Sequence, residues 1–156
     1  MVLDLDAQVE DGDGDTADTS FQVIFDADCN LVGSDDVDDA MSGIGASSID
    51  GKSGEDTVSY EGDTTGVTVD LSTSTEITNV ENLTGGSGAD TLIGDANDNI
   101  ILGGDGNDQL FGGAGNDNIT GGADDDIFVQ FEYDNNEVVD FVDGLDSLVD
   151  SPDDIT

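Results

Sequence analysis

Histidine is absent from this chain, and Lys52 is its only basic residue against 39 aspartates and glutamates, giving a formal charge of −38. Without histidine no Ser/His or Cys/His nucleophile system can be assembled. Without basic clusters, neither nucleic acid nor an anionic membrane surface can be drawn in electrostatically. Cys29 is the sole cysteine, so no intrachain disulfide forms; it is either a small bystander or a point of intermolecular pairing. Six phenylalanines, two tyrosines and no tryptophan, within 35% hydrophobic residues, leave little to fill an ordinary globular core. No apolar run approaches the roughly 18 residues of a spanning helix, and Met1 is not followed by a basic and then an apolar stretch, so neither membrane insertion nor a signal peptide is expected. Low hydrophobicity with charge of one sign describes a chain that stays disordered until something cationic offsets its self-repulsion.

What the sequence does have is 22 glycines, many of them in a strict period. From Gly85 it reads GGSGADTLI, GDANDNIIL, GGDGNDQLF, GGAGNDNIT and GGADDDIFV, ending at Val129 with no inserted residue. The sixth position of each unit is Asp90, Asn99, Asp108, Asp117 and Asp126; the eighth is Leu92, Ile101, Leu110, Ile119 and Phe128. Extending the frame back by one unit places Glu81 at the sixth position and Leu83 at the eighth. A more degenerate array starts at Gly33 with GSDDVDDAM, SGIGASSID and GKSGEDTVS, running to Ser59. Ser34 to Ile44 also fits helical spacing, but the nine-residue register explains Leu31, Ala40, Ile49 and Val58 together and is preferred. Gly51 lies 34 residues before Gly85 rather than 36, so the arrays are out of phase. Between them, Val67, Val69 and Leu71 alternate with Thr68 and Asp70, which predicts one half-buried strand.

The last three residues of a unit suit a short strand with the eighth side chain inward, and the first six suit a glycine turn. Two units make one coil of eighteen residues, an all-β, right-handed parallel β-roll. Sixth-position residues eighteen apart then stack, giving one column of Asp90, Asp108 and Asp126 and an opposite one of Glu81, Asn99 and Asp117, with Asp38 over Asp56 in the first array. Carboxylates and turn carbonyls form a hard, all-oxygen environment that suits calcium rather than zinc or copper.

GGSGADTLI, GGDGNDQLF and GGAGNDNIT resemble the calcium-binding nonapeptides of the RTX (repeats-in-toxin) proteins. VENLTGGSGADTL, DTVSY and the closing stretch VVDFVDGLDSL (138–148) extend the resemblance to about three quarters of the chain. The resemblance implies several bound Ca2+ ions, with Asp90, Asp108, Asp117 and Asp126 as side-chain ligands. It also implies carbonyl ligands from the turns at Gly86 and Gly88, Gly104 and Gly106, and Gly113 and Gly115. The sequence departs from the family pattern in places. Asn99 supplies a neutral oxygen, Asn97 and Asp124 replace fourth-position glycines, Lys52 replaces a second glycine, and Ser47 cannot act as a carboxylate. The Glu81, Asn99 and Asp117 edge is therefore expected to bind more weakly, and Asn99→Asp to strengthen it.

Before the roll, residues 1–30 read as a β-hairpin around the DGDGD turn at 11–15, with Leu3, Leu5, Ala7 and Val9 on one side and Phe21, Val23 and Phe25 on the other. This resembles the last hairpin of immunoglobulin-like adhesin repeats. Asp11, Asp13 and Asp15 match the start of an EF-hand loop, but Thr16 and Gln22 occupy its required glycine and bidentate acid positions, so a polar turn is the better reading. The roll spans 31–129, with a degenerate array at 33–59, a splice at 60–75 and a main array at 76–129. Ile93, Phe111 and Val129 fall eighteen apart on an outer face that needs covering. Residues 130–156, with Phe131, Tyr133, Val138, Val139, Phe141, Leu145 and Leu148, read as its cap, and a partner is the alternative cover.

The resemblance implies a calcium-binding module of a bacterial protein exported by the type I secretion machinery, a surface adhesin, secreted or held at the cell surface. It would act as a monomer, fold outside the cell, and serve a parent protein that binds a surface or polysaccharide ligand. The alternative is the C-terminal roll of a secreted metalloprotease, lipase or epimerase whose catalytic domain lies elsewhere. An autonomous glycosidase would need two carboxyl groups flanking a pocket. Nearly every acid here is instead a repeat position or part of a solvated run such as Asp35, Asp36, Asp38 and Asp39, so no enzymatic activity is expected.

Overall fold

A computed structural model of the chain describes residues 9–10, 16–17, 30–33, 40–129, 137–138 and 146–149. Its strands, in chain order, begin with β1 Val9–Glu10, β2 Thr16–Ala17, β3 Asn30–Val32, β4 Ala40–Ser42, β5 Ser48–Asp50, β6 Thr57–Ser59, β7 Thr68–Asp70 and β8 Ile77–Thr78. They continue with β9 Asn82–Thr84, β10 Thr91–Ile93, β11 Ile100–Asp105, β12 Gln109–Phe111, β13 Asn118–Ala123, β14 Ile127–Val129, β15 Glu137–Val138 and β16 Ser147–Val149. The described residues contain no helix, and so no apolar segment helical and long enough to cross a membrane. Among the described residues only β1 and β2 are antiparallel, pairing Val9 with Ala17; the turn expected at 11–15 lies outside the described residues. All other pairings are parallel, and the chain winds as a β-solenoid of about five turns.

The nine-residue period sets the coil. Thr91–Ile93 pairs in register with Gln109–Phe111, and that strand with Ile127–Val129; on the opposite face Ile101 pairs with Leu83 and Ile119. Every eighth-position side chain from Leu83 to Phe128 is therefore stacked inside, and Leu83, Leu92, Ile101, Leu110, Ile119 and Phe128 are all 0% exposed. Burying an aliphatic or aromatic side chain stabilises by about 1.5–3 kcal/mol, and this interior column is the main apolar contribution the sequence has available.

The first array departs from the expected spacing. Met41, not Ala40, points inward: Met41 is buried, Ala40 is exposed, and Met41 pairs with Val58, a coil of 17 residues. The longer, fully apolar methionine side chain fills the interior better than a methyl group. Asp38 lies outside the described residues, and this shift removes the register on which it was set over Asp56.

The phase break is absorbed on one face only. Val58 pairs directly with Leu83, so β4, β6, β9, β11, β13 and β15 form one continuous six-stranded sheet. The opposite face divides into a three-stranded sheet (β3, β5, β8) and a five-stranded sheet (β7, β10, β12, β14, β16). The strand expected around Val69 is β7, which joins β10 with Val69 against Leu92. β8, at the start of the stretch assigned to the main array, pairs with β5 through Ile49 and Ile77 and was not expected. The roll also continues past Val129, with Val138 pairing with Ile119 and Leu148 with Phe128. On the outer row Val129 is buried, while Ile93 and Phe111 are partly so. Phe131, Tyr133, Val139, Phe141 and Leu145 of the expected cap lie outside the described residues.

Candidate metal centre

The sixth-position residues do more than line an edge. Each carboxylate accepts the backbone N–H of the residue one coil earlier. Asp108 Oδ1 accepts from Asp90 N–H at 2.8 Å, Asp126 Oδ1 from Asp108 N–H at 2.9 Å, and Asp90 Oδ1 from Val67 N–H at 2.7 Å. The carbonyls of the same residues accept the seventh-position N–H one coil later, Gln109 to Asp90 and Ile127 to Asp108. The column Asp90, Asp108 and Asp126 is thus a hydrogen-bonded ladder as well as a stack of acids. It continues to Asp146, whose Oδ1 accepts the Asp126 N–H at 3.1 Å. Sequence reasoning missed Asp146, although Asp146, Ser147 and Leu148 repeat the Asp-x-apolar signature of Asp108, Gln109 and Leu110.

The opposite column brings together Asp117, Asn99, Glu81 and, across the phase break, Asp56. Asp117 Oδ1 accepts the Asn99 N–H at 2.9 Å, and Glu81 Oε2 accepts the Asp56 N–H at 2.9 Å. Asp56, expected to stack over Asp38, instead shares this column with Glu81. At Asn99 the pattern changes: its Nδ2 donates to the Glu81 carbonyl at 2.7 Å.

Glycine is required where the turns stack. A Cβ on Gly103 would lie 2.3 Å from Asp108 Oδ2 and 2.4 Å from the Gly121 carbonyl oxygen. A Cβ on the second- and fourth-position glycines would come equally close to carbonyls of the preceding coil: on Gly104 to the Gly86 oxygen (2.2 Å), on Gly106 to that of Gly88 (2.6 Å), on Gly113 to that of Asp95 (2.1 Å) and on Gly115 to that of Asn97 (2.7 Å). Lys52 and Asp124 replace glycines yet keep left-handed φ values of 77° and 81°. The Lys52 ammonium lies 2.5 Å from Asp50, which with Asn79 holds the Asp50 carboxyl below its usual range.

The donor set fits a hard cation. Asp108 is fully buried, its Oδ1 is engaged by Asp90, and its Oδ2 has no hydrogen-bond partner, an arrangement that is costly unless a cation or proton supplies one. Among the described residues no three acidic, histidine or cysteine side chains cluster as a metal site. Any ion here must therefore be completed by the carbonyls of the stacked glycine turns, which are hard oxygen ligands. Glu81, whose carboxylate is turned to the Asp56 N–H, and Asn99 do not supply this arrangement.

Burial pushes the Asp108 carboxyl from 3.8 up to about 7; the Asp90 N–H opposes the rise, and the charges of Asp90, Asp126 and Asp105 add to it. In the unfolded chain an aspartate ionises near 4. Between about pH 4 and 7 the folded state therefore holds a proton that the unfolded state lacks. The resulting stability is complete below about pH 4 and is lost as pH rises through 7. In chelator, far-ultraviolet circular dichroism should show more β-structure at pH 4.5 than at 7.5, and Asp108→Asn should flatten the profile. Identical profiles for both proteins would contradict this account.

A family model described as the RTX calcium-binding nonapeptide repeat matches residues 79–110 and 102–129, with four copies of the repeat. These matches cover about a third of the chain. No curated protein matches the chain. Stacked glycine turns, an aspartate ladder eighteen residues in period, and the family match coincide on the same stretch, and residues 79–129 are an RTX β-roll, a calcium-binding module.

Proposed function

We propose that this chain is a calcium-driven folding module of a type I-secreted bacterial surface adhesin, unfolded in the cell and folded outside, with no catalytic role of its own. The observation that carries the calcium part is Asp108, a buried carboxylate with one oxygen bonded to the neighbouring coil and the other unpartnered beside Gly103. Asp90, Asp108 and Asp126 would hold ions with the carbonyls of Gly86, Gly88, Gly104 and Gly106. Asp117 would do so on the other edge with those of Gly113 and Gly115. When bound, calcium supplies two positive charges and accepts oxygen ligands from both stacked turns.

Asp108 can face the turn only after β10 and β12 have paired, because its Oδ1 is positioned by the Asp90 N–H. A site assembled only in the folded chain converts binding into folding free energy. Extracellular calcium modules bind at about 10⁻⁴–10⁻³ M, far above cytosolic calcium, so the charge of −38 would keep the chain open inside the cell and able to thread a secretion channel. The N-terminal antiparallel pair of β1 and β2 favours an adhesin, since upstream β-sandwich repeats would end in such a hairpin.

Calcium titration followed by circular dichroism, with magnesium as control, tests the reading. A cooperative rise in β-structure at submillimolar to millimolar calcium, absent with magnesium, is expected. A chain already fully β-structured in chelator at pH 7.5, or unmoved by 10-fold more calcium than the upper figure of about 10⁻³ M, would rule it out.

A further inference from the structure

Asn99 breaks the ladder in a specific way. Its Oδ1 accepts the Asp95 N–H at 2.9 Å, while its Nδ2 donates to the Glu81 carbonyl at 2.7 Å and lies 3.4 Å from Asp95 Oδ1. The orientation of the amide is forced, because a flip would set NH2 against an N–H and oxygen against a carbonyl. Elsewhere the corresponding side-chain atom is an oxygen accepting an N–H from the coil before, as at Asp108, Asp117 and Asp126.

The reversal has a cause one coil away. Glu81 gives its N–H to the Asp56 carbonyl at 3.2 Å, so that N–H does not face Asn99. The Glu81 carbonyl would, in the regular pattern, accept the seventh-position N–H of the next coil. That N–H, from Ile100, goes instead to Asn82 Oδ1 at 2.9 Å. What faces residue 99 is therefore a carbonyl in need of a donor, and an amide nitrogen meets that need where a carboxylate would set oxygen against oxygen. Asn99 Oδ1 takes the N–H four residues back just as Asp90 Oδ2 takes that of Gly86 at 2.7 Å; what sets Asn99 apart is the NH2 it holds against the Glu81 carbonyl, where Asp108 presents an oxygen, Oδ2, with no hydrogen-bond partner.

We propose that the Glu81–Asn99 level of the roll binds no calcium and is closed by the Asn99 amide, a metal-independent clasp beside the junction of the two arrays. The inference uses the calcium reading of the other levels for contrast. Its physical content is that the amide does locally what an ion does elsewhere: it joins two stacked coils across an oxygen that would otherwise be unpaired. An aspartate at this position would face the Glu81 carbonyl with a second oxygen, and a cation could then bridge the pair.

Bound calcium is counted by equilibrium dialysis of the full chain at saturating calcium, for the wild type, Asn99→Ala and Asn99→Asp. Asn99→Ala should bind as many ions as the wild type, and Asn99→Asp one more. One ion fewer in Asn99→Ala would make Asn99 a ligand and overturn the proposal; so would an unchanged count in Asn99→Asp. If Asn99→Ala fails to form β-structure, the Asn99→Asp count alone decides. A wild type that binds no calcium sinks the general calcium reading, but the difference of one ion between it and Asn99→Asp still tests the clasp.

Discussion

Replacing Asp108 by alanine is expected to raise the calcium midpoint for β-structure by roughly ten- to a hundredfold, the largest effect of any single acid in the roll. Two losses combine. The Asp90 N–H, which donates to Asp108 Oδ1 at 2.8 Å, would be left in a buried place without an acceptor, at about 1–3 kcal/mol. The unpartnered Oδ2, proposed as the metal-facing atom, would vanish with it. Because every 1.4 kcal/mol is about tenfold in an equilibrium constant, the first loss alone accounts for much of the shift. Asp108 also lies between Asp90 and Asp126, so two levels of the ladder feel the change. Asp125→Ala is the matched control: Asp125 is exposed, and its removal should leave the midpoint within about twofold. Equal midpoints for the two variants in a dichroism titration would refute the ladder account.

Gly103→Ala should be nearly as damaging, and for a steric reason that calcium cannot repair. The added Cβ would fall 2.3 Å from Asp108 Oδ2 and 2.4 Å from the Gly121 carbonyl oxygen. The second of these is backbone, held by the pairing of β11 with β13, so it cannot yield without opening the sheet. Overpacking costs about 1–3 kcal/mol and occasionally more. With the carboxylate displaced as well, a loss of about 3 kcal/mol or more is expected, measured by denaturant unfolding in saturating calcium. Gly45→Ala provides the contrast. Nothing lies within 4 Å of its Cβ position, and only its left-handed φ of 77° opposes the change, at about 1–2 kcal/mol. Gly103 has no left-handed φ, so a loss there no larger than at Gly45 would refute the stacked-carbonyl account.

Several features of the roll were legible because they are local and repeat. A side-chain alternation of two within a period of nine is enough to put Leu92, Leu110 and Phe128 inside, and the structure buries all three completely. The same spacing puts Asp90, Asp108 and Asp126 in one column. Where the period weakens, the forecast fails for a definable reason. The choice between Ala40 and Met41 is a choice of which side chain fills the interior better, and Met41 was buried at the cost of one residue of coil. Asp146 carried the right local signature, but it lies 20 residues after Asp126 rather than 18, outside any strict frame.

The sequence alone determined the period, the inward row, the acidic edges and the hard-oxygen chemistry, since each follows from residue type and spacing along a single coil. Tertiary structure decided how coils of unequal length meet. It paired Val58 with Leu83 and confined the phase break to one face. It brought Asp56 to Glu81 and turned the Glu81 carbonyl toward the Asn99 amide. These contacts join residues 18 and 25 positions apart, and which N–H or carbonyl remains available at one level depends on what the level before it has already used.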